Sequence, residues 1–246
     1  MSAFWIALQF LTIFPVQLKS VPSPLQNARA LLFYPIIGLL IGGILYAVVL
    51  LFQALPAVLL ATICLILWIW LTGGLHLDGL ADTADAWVGG FGDKDRTLSI
   101  MKDPSCGPIG VLSLIVLCLL KWSCLYVLID ENLHIYLLMF PVLGRLAPLY
   151  LFLTATYLRS KGLGTQMAQY LPRPLAWGML FIALLICLLG GIKAALAMVF
   201  ASAVLWYLQR KFIQRIGGIT GDTIGASIEM VEAVSLSSLV ICSFYL

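Results

Sequence analysis

Long apolar runs alternate with short polar segments along most of the chain. Each of the clear runs is close to the roughly 20 residues that an α-helix needs to cross a bilayer. These runs occupy residues 31–55, 57–77, 109–129, 134–153, 175–192 and 194–209. A seventh run, 227–246, is weaker because Glu229 and Glu232 lie near its start. The pattern predicts an all-α, polytopic helical bundle with about seven transmembrane helices.

Composition supports this architecture and narrows the range of functions. Hydrophobic residues make up 62% of the 246 residues and charged residues only 10%, whereas soluble domains are roughly one quarter charged. A mean hydropathy of +1.07 leaves too little polar surface to cover a soluble particle. The net charge of +3 is far from that of a protein that binds nucleic acid. Residues 1–246 contain no linker, so we expect a single polytopic membrane domain in the lipid bilayer, and the sequence leaves homo-oligomer formation open.

The N-terminal segment 3–14 is apolar but too short to cross the bilayer. It ends at Phe14-Pro15 and carries Trp5, a residue type that favours the level of the lipid headgroups. We therefore predict an N-terminal interfacial helix ahead of the seven spans.

The distribution of Lys and Arg predicts the orientation in the membrane. Eleven of the 14 lie in the N-terminal segment and in the loops 78–108, 154–174 and 210–226, whereas only Lys193 falls on the other side. Because cytoplasmic loops retain Lys and Arg, we predict a multi-pass protein of the cell (inner) membrane with a cytoplasmic N-terminus. Loops 78–108 and 210–226 are the predicted active-site loops.

Three acidic residues at the end of the second run share one helical face. Asp78, Asp82 and Asp85 stand at positions i, i+4 and i+7, so they fall within about 60° of one another on a helix. Like charges in this arrangement repel each other, and a divalent cation would neutralise them. Oxygen ligands without a nearby thiolate favour Mg²⁺ or Mn²⁺. The alternative interpretation is a solvated cytoplasmic surface.

A second acidic pair, Asp222 and Glu229, is also seven residues apart on one helical face. Thr220 is predicted to cap the N-terminus of that helix. Acidic groups at the membrane end of a helix are energetically unfavourable and are therefore candidates for function. We expect the two acidic faces to share one metal site. The pattern leaves open whether Glu232 also belongs to that site. The predicted metal ligands are Asp78, Asp82, Asp85, Asp222 and Glu229.

Two basic side chains are candidate catalytic residues, and each has two interpretations. His76 lies two residues before Asp78, and either a tethering hydrogen bond or a general-base role fits it. Arg145 lies near the middle of the run 134–153 and needs a partner at that depth. That partner is either a structural carboxylate or a phosphate group of a substrate.

The segment 89–110 combines glycines with Arg96, Lys102 and Asp103. Glycines, bases and an acid on one loop suit phosphate capture, so these three are the candidate substrate-binding residues. The segment is neither a Walker A motif nor a Rossmann fingerprint, and by itself it does not name a substrate.

Together these motifs resemble the cobalamin synthase family over the whole chain. The matching residues are Gly73-Gly74-x-His76-x-Asp78-Gly79-x-x-Asp82-x-x-Asp85, Met101-Lys102-Asp103 and Gly221-Asp222-Thr223-x-Gly225-Ala226-x-x-Glu229. The resemblance implies an adenosylcobinamide-GDP ribazoletransferase with Mg²⁺ as its cofactor. Its small-molecule substrates would be adenosylcobinamide-GDP and α-ribazole or α-ribazole 5′-phosphate. The products would be GMP and adenosylcobalamin or its 5′-phosphate.

Two other classes of membrane protein are alternatives. CDP-alcohol phosphotransferases, which are phospholipid enzymes, use similar metal chemistry, but their motif begins DxxDGxxAR. Here Leu75 stands in place of the first Asp, and Asp82-Thr83 replaces Ala-Arg. A secondary transporter would carry its charges near the membrane midplane on repeated halves, whereas these acids gather at one face.

Overall fold

The computed structural model describes residues 2–246, which are helical apart from turns and short connections. Within that range, an isolated bridge between Tyr157 and Ile219 is the only β-type pairing. The α-helices are α1 (Ala3–Leu11), α2 (Pro24–Ala30), α3 (Tyr34–Leu51), α4 (Ala57–Leu71), α5 (Leu75–Gly89), α6 (Lys94–Ile100), α7 (Pro108–Asp130), α8 (Phe140–Thr154), α9 (Leu163–Tyr170), α10 (Arg173–Leu188), α11 (Gly191–Ile216) and α12 (Gly221–Ser243). Two 3₁₀ segments, Leu31–Phe33 and His134–Leu138, lead into α3 and α8. The predicted all-α architecture is confirmed.

Five helical stretches are long and apolar enough to cross a membrane. They are Pro24–Leu51, Pro108–Asp130, His134–Thr154, Gly191–Ile216 and Gly221–Ser243. Two pairs of helices each make one further crossing if a bent span is counted, namely α4 with α5 at 85° and α9 with α10 at 96°. The protein is thus a multi-pass membrane protein with five to seven candidate crossings, as the polytopic prediction requires.

The second crossing helix ends earlier than its apolar run predicts. The run continues to residue 77, but α4 stops at Leu71 and α5 begins at Leu75. Gly73 and Gly74 have φ angles of +61° and +69°, a left-handed conformation that glycine adopts without strain. The chain turns by 85° between the two helices. As a result, α5 leaves the path of α4 and lies across the starts of α7 and α12.

Both connecting segments predicted to carry the active site are largely helical, in keeping with the helical face predicted for Asp78, Asp82 and Asp85. Segment 78–108 contains most of α5 and all of α6, and segment 210–226 leaves only residues 217–220 between α11 and α12. Leu77 and Leu80 give α5 an apolar side that packs against α7 and α12, and this packing holds the acidic segment in a helix.

The first and last helices agree with the sequence pattern in part. α1 forms where the interfacial helix was predicted, with Trp5 49% exposed and Leu8 buried. Its depth in the bilayer stays a prediction. α12 starts at Gly221, earlier than the run 227–246, and runs unbroken to Ser243. Thr220 caps α12 as predicted, because its hydroxyl oxygen accepts the Thr223 N–H at 3.3 Å.

The polar segments of the chain lie together at one end of the bundle. There the Leu158 N–H donates to the Ile219 carbonyl at 3.0 Å, which fixes the end of α8 to the turn before α12. This end consists of α5, α6 and residues 154–161 and 217–222, and it is called the polar end below. The candidate functional residues lie there or in the bundle core beneath it.

Candidate active site

Small residues let the two acid-bearing helices touch each other. A Cβ atom on Gly79 of α5 would lie only 2.8 Å from the Asp222 carbonyl oxygen of α12. A Cβ atom on Gly225 of α12 would lie 3.3 Å from the His76 carbonyl oxygen of α5. The first distance is shorter than real side chains allow, so Gly79 is required at this contact. The two sequence motifs therefore meet at the polar end.

A cavity of about 190 Å³ lies at this contact. Its polar wall is formed by His76 and Asp78 from α5 and by Asp222 from α12. Aromatic side chains form much of the remaining wall. These are Phe10, Tyr34, Phe152 and Tyr157. The cavity combines two carboxylates, an imidazole and flat apolar surface.

Asp82 lies one helical turn beyond Asp78 and is half-buried. Burial raises the pKa of its carboxyl to about 6, and repulsion by Asp78 and Asp222 adds to the shift. Arg159 opposes the shift without cancelling it. The acids around Asp82 thus act on it more strongly than Arg159 does.

The carboxylates at this contact can be compared with what a Mg²⁺ site requires. In residues 2–246, no three His, Cys, Asp or Glu side chains converge closely enough to hold a metal ion by themselves. Mg²⁺ commonly uses only one or two protein carboxylates, together with waters and substrate phosphates. Asp78 and Asp222 line one cavity, and Asp82 lies one helical turn from Asp78. The residues present therefore suit Mg²⁺ bound together with a phosphorylated substrate.

Asp85, a third predicted ligand on α5, is turned toward the start of α7. Its Oδ2 accepts the Gly107 N–H at 2.7 Å, and its Oδ1 accepts the Gly110 N–H at 2.8 Å. The first N–H groups of a helix have no partner within the helix. Asp85 supplies that partner, so both of its oxygens are engaged in holding α7 against α5.

Glu229, the second predicted ligand on α12, lies in a buried ion cluster below the cavity. The Lys121 ammonium donates to the carboxylates of Glu229 and Glu232, each at 2.6 Å. Arg145 forms an ion pair with the other oxygen of Glu232. Two cations thus balance two acids in the core, as buried charges require. This arrangement favours the structural-carboxylate interpretation of Arg145 and gives Glu232 a definite role.

Two buried basic groups in this region are incompletely paired. His76 is 3% exposed and its Nδ1 has no hydrogen-bond partner, although the residue lines the cavity. The Nε and Nη2 atoms of Arg145 also lack partners. His76 therefore has a buried ring nitrogen without a partner in the wall of the cavity.

Arg159 is a site residue that the sequence pattern did not single out. Its Nη2 donates to Asp222 Oδ2 at 2.6 Å, and the Thr220 hydroxyl donates to the same oxygen at 3.3 Å. The pairing of Tyr157 with Ile219 brings the Arg159 loop against the start of α12. The sequence shows only that Arg159 belongs to a basic loop on the same side as Asp222.

A second cavity, of about 340 Å³, adjoins Arg159. Lys102, one of the predicted substrate-binding residues, lines it together with Arg159 and Lys161. The other two predicted substrate-binding residues lie elsewhere. Arg96 is exposed, with its guanidinium 5.1 Å from the centre of the Phe91 ring. Asp103 accepts the Ser105 N–H at 2.9 Å, which lowers the pKa of its exposed carboxyl.

Comparisons with known proteins match this chain to one family over nearly its full length. A family model described as cobalamin-5-phosphate synthase matches residues 3–240. The chain is 57% identical over 246 residues, which is all of both chains, to a protein named adenosylcobinamide-GDP ribazoletransferase from Acinetobacter baumannii (strain ATCC 17978). Proteins of the same name from Pseudomonas putida (strain W619) and Pseudomonas fluorescens (strain Pf0-1) are 48% and 46% identical. These matches cover 99% and 97% of this chain and 100% and 99% of the relatives. No solved structure matches the chain.

Proposed function

The chain belongs to the cobalamin-5-phosphate synthase family, and we propose that it is a Mg²⁺-dependent adenosylcobinamide-GDP ribazoletransferase. Its acceptor substrate is α-ribazole or α-ribazole 5′-phosphate. One observation carries the proposal for the site: α5 and α12 meet so that Asp78 and Asp222 line one cavity beside His76. The relatives' names supply the reaction, and this cavity supplies the chemical groups that the reaction needs.

The reaction is the displacement of one phosphate ester by another. A hydroxyl oxygen of α-ribazole forms a bond to the phosphorus that stays attached to adenosylcobinamide. The bond from that phosphorus to the bridging oxygen of the diphosphate breaks, and its electron pair leaves with GMP. Catalysis of such transfers depends mainly on positioning and on stabilisation of charge.

Asp78 and Asp222 are the residues that would hold Mg²⁺, and Asp82 adds negative charge next to them. When bound, Mg²⁺ would supply positive charge that neutralises the phosphate groups of the substrate. In this proposal Asp85 and Glu229 do not bind the metal but hold the surrounding helices in place. Asp85 fixes α7 against α5, and Glu229 keeps Lys121 and the core of α12 in place.

His76 is the group best placed to accept the proton of the attacking hydroxyl. Its Nδ1 is free of hydrogen bonds, and the residue lines the same cavity as Asp78 and Asp222. A general base must reach the proton that it removes, so this role requires the His76 ring to turn its unpartnered Nδ1 toward a hydroxyl bound in the cavity. The aromatic wall, which includes Phe152 and Tyr157, offers flat apolar surface to the base of α-ribazole.

The polar end faces the cytoplasm of a cell (inner) membrane in this proposal. Eleven of the 14 Lys and Arg residues lie in the N-terminal segment and in alternate loops, and cytoplasmic segments retain such residues. Of these, Lys94, Arg96, Arg159 and Lys161 lie in the segments that form the polar end. Phospholipid synthesis and transport, the two alternatives, have no support from the relatives, which are named as ribazoletransferases over the whole chain.

The test is turnover of purified protein in liposomes that contain adenosylcobinamide-GDP and α-ribazole, with GMP release as the readout. Wild type should release GMP only with Mg²⁺, and EDTA should stop it. Asp78→Asn and Asp222→Asn should each lower kcat by at least about 100-fold, because changes beyond the direct ligands of a metal already lower activity about 10- to 100-fold. Asp95→Asn, in an exposed position on α6, is the matched control and should keep full activity.

Two results would count against the proposal. Wild type that releases no GMP with both substrates and Mg²⁺ would contradict the reaction itself. Full turnover of both Asp78→Asn and Asp222→Asn at saturating substrate would leave the reaction intact but remove the metal site from these residues.

A further inference from the structure

The second cavity at the polar end has an unusually uniform charge. Its 340 Å³ is lined by Lys102, Arg159 and Lys161, and no acidic side chain lines it. Of the four salt bridges within residues 2–246, only one involves these cations, that of Arg159 with Asp222. Lys102 and Lys161 have no carboxylate partner there. Three cations around one concavity create a positive field that favours an anion.

The floor of this cavity is fixed by the fold. Thr220 is 1% exposed and Met101 is 3% exposed, so neither moves without disturbing the packing. The Thr220 side chain is also held by the cap of α12, and Met101 follows α6 directly. Leu98 and Leu158 add apolar surface to the same wall. The concavity is therefore a shaped pocket with a basic rim and an apolar side.

Arg159 connects this pocket with the acidic cavity. It lines the basic pocket, yet its Nη2 lies 2.6 Å from Asp222, which lines the acidic cavity. Thr220 lines the basic pocket and stands only two residues before Asp222. The two cavities thus lie on either side of one short segment of chain. A diphosphate lying across that segment would have one phosphate at each cavity.

We propose that the basic pocket binds the guanosine 5′-monophosphate part of the substrate, with the phosphate on Arg159, Lys161 and Lys102. This inference rests on the proposed function and adds the site of the leaving group. As the bridging bond breaks, its electron pair stays on GMP, whose phosphate gains one negative charge. Cations held around that phosphate stabilise the charge as it develops. The apolar side, with Leu98 and Leu158, faces the nucleoside.

Arg159 also changes partner in this proposal. Without substrate it neutralises Asp222, and with substrate it turns to the phosphate of the nucleotide. The exchange frees the Asp222 carboxylate for a divalent cation. Arg159 would therefore prevent the acidic cavity from taking up a cation tightly before the nucleotide has arrived.

The binding test uses GMP and full-length protein in lipid nanodiscs. Arg159→Gln and Lys161→Gln should each weaken GMP binding by about 10-fold or more, because each removes a charge-assisted contact to the phosphate. Lys19→Gln is the matched control, since Lys19 is exposed outside both cavities and loses the same charge. Its GMP affinity should equal that of wild type.

Two competitors test whether the pocket binds a nucleotide, free phosphate or a lipid headgroup. Inorganic phosphate and vesicles containing phosphatidylglycerol should displace GMP only at much higher concentrations than guanosine-containing nucleotides do. Displacement by either competitor as easily as by nucleotide would overturn the nucleotide assignment in favour of a general phosphate or lipid-headgroup site.

Binding of Mn²⁺, measured by electron paramagnetic resonance without substrate, tests the exchange of partners. Arg159→Gln should bind Mn²⁺ more tightly than wild type, because no guanidinium then competes for Asp222. Weaker or unchanged Mn²⁺ binding would contradict the exchange.

The same preparations separate this inference from the proposed function. GMP affinity that is unchanged in both pocket variants, with normal turnover in wild type, would overturn the pocket but leave the function standing. Selective GMP binding in wild type without any turnover would contradict the proposed function but leave the nucleotide pocket standing.

Discussion

Asp82 is a carboxyl group whose surroundings disfavour its charged form. Burial and the neighbouring acids raise its pKa to about 6, so above that pH an uncompensated charge weakens the folded state. A bound cation would remove that penalty. We therefore expect Mg²⁺ to raise the melting temperature more at pH 7 than at pH 5, where Asp82 is protonated and the cation has to displace a proton. Thermal unfolding in detergent at both pH values measures this.

The control for this pH dependence is the neutral variant. Asp82→Asn should show a Mg²⁺-induced rise that differs little between pH 5 and pH 7, whereas Asp95→Asn should behave as wild type. An equal rise at both pH values in wild type would mean that Asp82 does not sense the cation.

Arg145 is fully buried and paired with Glu232, which in turn contacts Lys121. Breaking a buried ion pair by removing one partner destabilises proteins by about 3–5 kcal/mol, because a charge is left unpaired. Arg145→Met should therefore lower the melting temperature clearly, and Glu232→Gln added to it should restore part of the loss. Arg145→Lys should largely keep turnover per folded molecule. A large loss of kcat in Arg145→Lys at an unchanged melting temperature would instead support the phosphate-clamp interpretation.

At the scale of elements, the N-terminus of α7 depends on one side chain of α5. Asp85 accepts the N–H groups of Gly107 and Gly110, in the manner of a helix cap supplied from another helix. Asp85→Ala should lower stability by about 0.5–2 kcal/mol, the usual effect of losing a cap. The Mg²⁺ concentration for half-maximal rate should stay near that of wild type, since both oxygens of Asp85 serve α7. A strongly raised Mg²⁺ requirement would restore Asp85 to the metal ligands.

The sequence predicted which segments are helical but not how they are directed. Apolar runs of about 20 residues marked the crossing helices, because burying the backbone in lipid demands a helix. The apolar run does not predict the 85° bend at Gly73-Gly74, since it continues past these glycines to Leu77. That bend is what brings α5 across α7 and α12, so the contacts of Asp85 could not be inferred either.

The candidate active site, too, could be predicted from the sequence only where its features are local to one helix. Spacing alone indicated that the acids of α5 share a face and that Thr220 caps α12, because both properties are local to one helix. Partners that come from distant segments were missed. Arg159 is 63 residues from Asp222, and Lys121 is 108 residues from Glu229. Charge complementarity suggested that buried acids need cations, but only the packing of α7 against α12 selected Lys121 for Glu229.

For the whole molecule, the orientation in the membrane decides which side supplies the substrates. The polar end carries Lys94, Arg96, Arg159 and Lys161, whereas Glu131 is exposed at the opposite end, directly after α7. The positive-inside tendency therefore predicts that the polar end is cytoplasmic. Cys106 reports on that end, because it is exposed and lies between α6 and α7.

A membrane-impermeant maleimide should label Cys106 in inverted membrane vesicles and spare it in right-side-out vesicles, and Cys106→Ser should abolish the signal. Glu131→Cys in the Cys106→Ser background should show the reverse pattern. Labelling of Cys106 from the outside would place both cavities on the face away from the nucleotide pool, and the cytoplasmic orientation would then be untenable.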